Sequence, residues 1–180
     1  MTIPTSITSI EDRTFDKWNK LKEVSCEIKW LEHFKKTNKI EKLSISNTVT
    51  SIERNMFDNF KAVTSLSFPK DLCYFPSELF KPLISLQTIR CSPVLLTNLI
   101  APKNITEIDI PEGIDELNES YGFDQFKKLQ TLRIPSTITS IGNETFKHID
   151  IINLECDLQW IEYFGKEKIE SLNYIKLKHS

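Results

Sequence analysis

One pattern of apolar residues recurs along the whole chain and limits the folds that the chain can adopt. In each copy, an apolar residue is followed three positions later by a second one and two positions after that by a third. The middle residues of successive copies are 19 to 24 positions apart, so the chain consists of short repeated units. The eight copies, each given by its three apolar residues, are Leu21/Val24/Cys26, Ile40/Leu43/Ile45, Val63/Leu66/Phe68, Leu86/Ile89/Cys91, Ile105/Ile108/Ile110, Leu129/Leu132/Ile134, Ile151/Leu154/Cys156 and Leu172/Ile175/Leu177.

The alternation in each copy predicts a short strand with one buried face. Successive side chains of an extended segment point to opposite faces, so the second and third apolar residues share one face. A single strand of this kind cannot bury its apolar side, whereas eight of them stacked in parallel form a continuous core. We therefore predict one solenoid over residues 1–180, with parallel short strands on one face and irregular or short helical arcs on the other.

Further apolar residues recur between the strands and are expected to fill the arcs. A second apolar pair occurs in every unit: Ile7/Ile10, Ile28/Leu31, Val49/Ile52, Leu72/Phe75, Leu96/Leu99, Ile114/Leu117, Ile138/Ile141 and Leu158/Ile161. A phenylalanine follows the pair in every unit except the fifth: Phe15, Phe34, Phe57, Phe80, Phe123, Phe146 and Phe164. Trp30 and Trp160 also hold equivalent positions, and we interpret all these aromatic residues as core.

Cysteines mark a longer period of 65 residues. Cys26, Cys91 and Cys156 occupy the same inward position in units that are three apart. Three strand spacings amount to about 14 Å, which exceeds the ~7 Å that a disulfide can bridge. Cys73 lies in an arc without an evident partner. The cysteines are therefore interpreted as buried thiols, and this usage favours a reducing compartment; we expect a cytoplasmic location, or the cell surface by a route without a standard signal peptide.

Three segments carry a resemblance to a known family. The run I-P-x-x-[IV]-T-S-I-x-x-x-x-F fits residues 3–15 and 134–146, and residues 46–57 match its second half. Together with the apolar pattern, this run resembles the BspA-like subclass of leucine-rich repeats, known from bacterial and protist proteins. The resemblance covers nearly the whole chain and implies a leucine-rich-repeat solenoid that binds proteins or surfaces, often in adhesion. It implies no catalytic residues.

The outward positions of the predicted sheet form the best candidate binding face. Just before the last core residue, the final five units carry charges that alternate in sign: Arg90, Asp109, Arg133, Glu155 and Lys176. Either this row docks a partner, or its charges satisfy one another and keep the sheet soluble, as exposed pairs contribute only ~0–1 kcal/mol each. Ile152 and Tyr174 are the large apolar or aromatic residues predicted on this face, and aromatic anchors often dominate interface energy.

Composition and motifs argue against several other functions. The net charge of −2 argues against a nucleic-acid partner, which requires a concentrated positive face. No apolar run is long enough to predict a transmembrane segment. Neither a glycine-rich phosphate loop nor a C-x-x-C zinc motif occurs, and no catalytic arrangement is evident, so we expect no enzyme activity, no cofactor and no metal site.

Two functional hypotheses remain from the sequence. The first is a non-enzymatic protein-interaction module that binds a partner of unknown identity through the extended sheet face. The alternative is a surface-associated adhesive or structural element that acts through self-association and avidity. The chain begins inside a repeat, with Met1 in the middle core position, and stops three residues after Leu177. We therefore expect uncapped ends that associate, or an excerpt from a longer array.

Overall fold

The computed structural model describes residues 1–37, 39–46, 52–72, 76–97, 99 and 104–177. Val49, Cys73 and Phe75, which the sequence analysis assigns to arcs, lie outside the described residues.

Eight parallel strands form the main sheet, one in each predicted unit. Their middle core residues pair from strand to strand without a slip, from Val24 opposite Leu43 to Leu154 opposite Ile175. This register confirms the leucine-rich-repeat solenoid with its parallel sheet. In spatial order the strands are β1 (Glu23–Cys26), β2 (Lys42–Ile45), β3 (Ser65–Ser67), β4 (Thr88–Arg90), β5 (Glu107–Asp109), β7 (Thr131–Arg133), β9 (Asn153–Cys156) and β10 (Tyr174–Leu177).

A partial coil precedes the first strand. Thr2 forms an isolated parallel bridge with Ser25, and the amide of Ile3 donates to the carbonyl of Ser25 at 2.8 Å. This register places Met1 beside Val24, the middle core position that the sequence predicts for it.

The arcs contain short helices and one additional sheet. The helices α1 (Pro93–Leu96) and α2 (Lys166–Ser171) are short, and the 3-10 helices span Ile28–Phe34, Ser77–Phe80, Glu119–Tyr121, Phe123–Gln125 and Leu158–Phe164. Two arcs instead pair as parallel strands, β6 (Glu116–Leu117) and β8 (Ser140–Ile141), a pairing that the sequence analysis did not predict. Both follow a proline and carry apolar residues at the same three-residue spacing, so the two segments run side by side at equal length.

Arc phenylalanines of neighbouring units stack inside the solenoid in two places, Phe15 on Phe34 and Phe123, Phe146 and Phe164 on one another. The Phe15 and Phe34 rings lie parallel with centroids 4.6 Å apart, and the rings of Phe146 and Phe164 repeat this geometry at 4.6 Å. Leu99 is buried eight residues after Cys91, the spacing that separates Phe34 from Cys26 and Phe164 from Cys156. Leucine therefore fills the phenylalanine position in the unit that lacks it.

Of the three aligned cysteines, Cys26 and Cys156 end the first and seventh strands and Cys91 directly follows the fourth; all three side chains are fully buried. Trp30 and Trp160 are also buried, as predicted. Within the part of the chain that the structure describes, no helix is both long and apolar enough to cross a membrane.

Candidate functional site

The outward side chains of the main sheet stand in two parallel columns, because every strand is in register. The first column is Ser25, Ser44, Ser67, Arg90, Asp109, Arg133, Glu155 and Lys176; the second is Glu23, Lys42, Ser65, Thr88, Glu107, Thr131, Asn153 and Tyr174. We call the surface made by these two columns the sheet face. Its polar residues alternate with buried core residues along each strand, which is what period-two patterning requires.

Two separate groups of ion pairs occupy the charged half of the sheet face: one joins Arg90 to Asp109, and the other joins Arg133, Glu155 and Lys176. Arg90 Nη1 lies 2.7 Å from Asp109 Oδ2 on the next strand. Glu155 has a cation on either side: Arg133 Nε lies 3.3 Å from its Oε2 as an ion pair, and Lys176 Nζ donates to its Oε1 at 3.1 Å. The charges that alternate from strand to strand thus form ion pairs between neighbouring strands at Arg90–Asp109, Arg133–Glu155 and Glu155–Lys176, whereas Arg133 contacts Glu107 in place of Asp109.

Arg133 is the centre of this network. Besides Glu155, its guanidinium contacts Glu107, which belongs to the second column of β5. Partial burial of the guanidinium lowers the pKa of Arg133, but the hydrogen bond to Glu107 and the charges of Glu107, Asp109 and Glu155 outweigh it and raise that pKa. Arg133 is therefore a permanent cation held between carboxylates of two other strands.

The other half of the sheet face is lined by small hydroxyl side chains. Ser25 on β1, Ser44 on β2 and Ser67 on β3 line a shallow depression of about 290 Å³. At its rim Lys42 Nζ lies 2.7 Å from Glu23 Oε1. Both groups are exposed, and the hydrogen bond and charge of this pair lower the pKa of Glu23 and raise the pKa of Lys42.

The two apolar candidates differ in accessibility. Tyr174 is the first residue of β10 and is 53% exposed, at the end of the column that contains Asn153. Ile152 precedes β9, is half-buried, and its carbonyl accepts from the amides of Asn173 and Tyr174. Tyr174 therefore offers the larger free surface of the two.

Sequence reasoning did not select Glu107 or the serine depression. Glu107 occupies the other outward position of β5, two residues before Asp109, and could have been selected by asking which acidic residues lie diagonally opposite Arg133. The three serines are uncharged, so no charge pattern in the sequence draws attention to them. They form a depression because three small side chains lie next to one another on adjacent strands.

No group of three or more histidine, cysteine, aspartate or glutamate side chains in the described ranges is arranged to hold a metal ion.

A family comparison agrees with this geometry. A family model described as a BspA type leucine-rich repeat region (6 copies) matches residues 1–98 and again residues 97–180. The chain belongs to the BspA-type leucine-rich repeat family. A search of curated proteins finds no match to the chain. Members of this repeat family are protein-interaction or adhesion-type modules and are generally not enzymes.

Proposed function

We propose that this BspA-type repeat chain is a non-enzymatic protein-interaction module that binds its partner through the sheet face. The observation that carries the proposal is the unbroken register of eight strands, which supplies two continuous columns of outward side chains. Repeat proteins generally use such extended surfaces for recognition. The proposed partner contacts on the sheet face are Arg90, Asp109, Arg133, Glu155, Tyr174 and Lys176, together with Ile152, which lies beside this face just before β9.

The ion pairs of the sheet face are expected to determine which partner binds, more than how tightly it binds. Arg133 and Glu155 neutralise each other's charge, so this part of the sheet face has little net electrostatic potential. It offers a partner hydrogen-bond donors and acceptors at fixed positions. Such complementary surfaces contribute specificity more than raw affinity. Tyr174 supplies the apolar anchor, since exposed aromatic side chains are typical hot spots of interfaces.

We expect the substitution Tyr174→Ala to weaken partner binding by roughly 30-fold, the loss typical of an aromatic hot spot. The triple variant Arg133→Ala, Glu155→Ala, Tyr174→Ala should abolish capture of the partner on immobilised chain. A matched control is Glu144→Ala, Lys147→Ala, Leu158→Ala, which removes an exposed ion pair and an exposed apolar side chain away from the sheet face. Equal capture by both triple variants, with both folded by circular dichroism, would rule out the sheet face.

A second candidate function is a structural or adhesive element that acts through self-association. It is favoured by β10, where the core position of Leu177 is 42% exposed although its counterparts Cys156 and Ile45 are buried. Exposed edge strands tend to pair with other chains. Light scattering coupled to size exclusion should then show a mass that rises with concentration, and Leu177→Lys should suppress the rise. At about 100 μM chain, self-association with a dissociation constant in the micromolar range would be nearly complete. A wild-type chain that stays strictly monomeric at this concentration would argue against this candidate.

A further inference from the structure

Lysines are concentrated in one part of every repeat unit. The turns that lead from the phenylalanine position of each arc into the next strand contain thirteen of the 19 lysines and six carboxylates. These turns are residues 16–20, 35–39, 58–62, 81–85, 100–104, 124–128, 147–150 and 165–171.

The segments that follow the strands have the opposite charge. They contain fourteen carboxylates and four basic residues, within residues 4–14, 27–33, 46–56, 69–79, 92–98, 111–122, 135–145 and 157–163. The outward positions of the strands carry as many cations as anions. The net charge is only −2, but the positive and negative charges occupy different parts of each repeat unit.

Parallel stacking turns this sequence bias into a surface. Since the strands of the main sheet are parallel and in register, the described parts of the segments that precede them, which exclude residues 38 and 100–103, stack along one edge, about 4.8 Å apart. We call this row of turns the basic edge. Several of its lysines are exposed and form no ion pair with another described residue: Lys17, Lys20, Lys35, Lys61 and Lys127. Others on the edge do have a carboxylate partner, as Lys36 has Asp16 at 2.8 Å.

Two neighbouring turns of the basic edge enclose a groove. Lys35 and Lys36 from one turn and Lys61 from the next line an open groove of about 690 Å³, together with Asp58 and Asn59. Lys36 is already paired with Asp16, so Lys35 and Lys61 are the two lysines that the groove offers to an anionic headgroup, beside the carboxylate of Asp58.

Exposed apolar side chains lie on the same edge. Ile84 lies near the tip of its turn and is 66% exposed. Trp18 in the first turn is 45% exposed, and its ring meets that of Phe15 in a T-shaped contact with a centroid distance of 5.1 Å. A combination of lysines with tryptophan and aliphatic side chains is typical of surfaces that lie in the interfacial region of a bilayer.

We propose that the basic edge binds the surface of a membrane that contains anionic lipids. The lysines of the basic edge interact with lipid phosphates and carboxylates, and Ile84 and Trp18 enter the headgroup region. The carboxylate-rich segments then lie away from the membrane, so the charge sorting also orients the chain. The sheet face stays free in this orientation, because it lies between the two charged sides.

Sedimentation with vesicles tests the proposal on the whole 180-residue chain. We expect binding to phosphatidylcholine vesicles that contain about one third phosphatidylserine, little binding to pure phosphatidylcholine, and loss of binding as salt is raised. The variant Lys35→Glu, Lys61→Glu should bind at least about 25-fold more weakly, since each lysine near an anionic surface contributes about fivefold. The matched control Arg54→Glu, Lys70→Glu changes the net charge equally on the acidic side and should bind like wild type.

A second pair of variants tests the apolar contribution at constant charge. Ile84→Ser should weaken vesicle binding severalfold, whereas Leu158→Ser, which removes an equally exposed side chain in an arc, should leave it unchanged. The proposal is overturned if the wild-type chain ignores phosphatidylserine vesicles, or if both double-charge variants lose binding equally. It is likewise overturned if heparin binds the basic edge while vesicles do not, which would assign the edge to an acidic polymer.

Discussion

Replacement of Phe146 by alanine is expected to lower the free energy of unfolding by about 3–5 kcal/mol, the usual cost of truncating a buried phenylalanine. The side chain is 1% exposed and lies between the rings of two neighbouring coils. Its ring stacks on Phe164 at 4.6 Å and meets Phe123 edge to face at 5.2 Å. The cavity would therefore remove contacts on both sides, and each coil of a solenoid is stabilised mainly by its nearest neighbours.

Urea unfolding monitored by circular dichroism measures this change through the transition midpoint. The control is Leu158→Ala, an equally apolar position in an arc whose side chain is 68% exposed, where we expect a change within about 0.5 kcal/mol. A loss below about 1 kcal/mol for Phe146→Ala would contradict the stacking of Phe146 on its neighbours and, with it, the packing of the arcs. Phe146→Leu should recover part of the stability, because Leu99 already fills the corresponding position in another coil.

The register of the main sheet could be predicted from sequence because it depends on one local rule applied many times. A one-residue slip would turn a whole strand's core residues to solvent, so the apolar positions of Val24, Leu43 and Leu66 determine their own pairing. The same logic placed the three cysteines in one row.

The details of the arcs could not be predicted in the same way. Pairing of β6 with β8 requires two adjacent arcs of equal length and similar backbone direction. The pattern within one unit does not reveal this, because it depends on a comparison of neighbouring units. The role of Leu99 is different: its eight-residue distance from Cys91 is present in the sequence, but leucine occurs throughout the pattern, and the sequence analysis assigned Leu99 to the second apolar pair.

The candidate site was predictable in position but not in its contacts. The outward placement of Arg133 and Glu155 follows from strand alternation. The contact from Arg133 to Glu107 depends on which rotamer a long side chain adopts, since straight and diagonal neighbours on adjacent strands are both within its reach.

Alkaline pH is expected to destabilise the chain through its buried thiols. Burial, with a smaller contribution from the charge of Glu27, raises the pKa of Cys26 to about 12. Burial and the charge of Asp109 raise the pKa of Cys91 as well. In the unfolded chain these thiols ionise near pH 8.5, whereas the folded chain keeps them protonated. Above that pH the folded state therefore binds more protons than the unfolded state, and the free energy of unfolding falls as pH rises towards 12.

The expected loss is about 2 kcal/mol per thiol between pH 8 and pH 10. It is measured as the difference in urea midpoint between the two pH values, for wild type and for the variant Cys26→Ala, Cys91→Ala. The variant should be less stable at pH 8 because of the lost packing, yet its stability should fall less on going to pH 10. Tyrosine and lysine titration is common to both chains and cancels in this comparison. Equal pH dependence in the two chains would mean that the thiols ionise in the folded state, and the dry, continuous interior assigned to the row of cysteines would then be wrong.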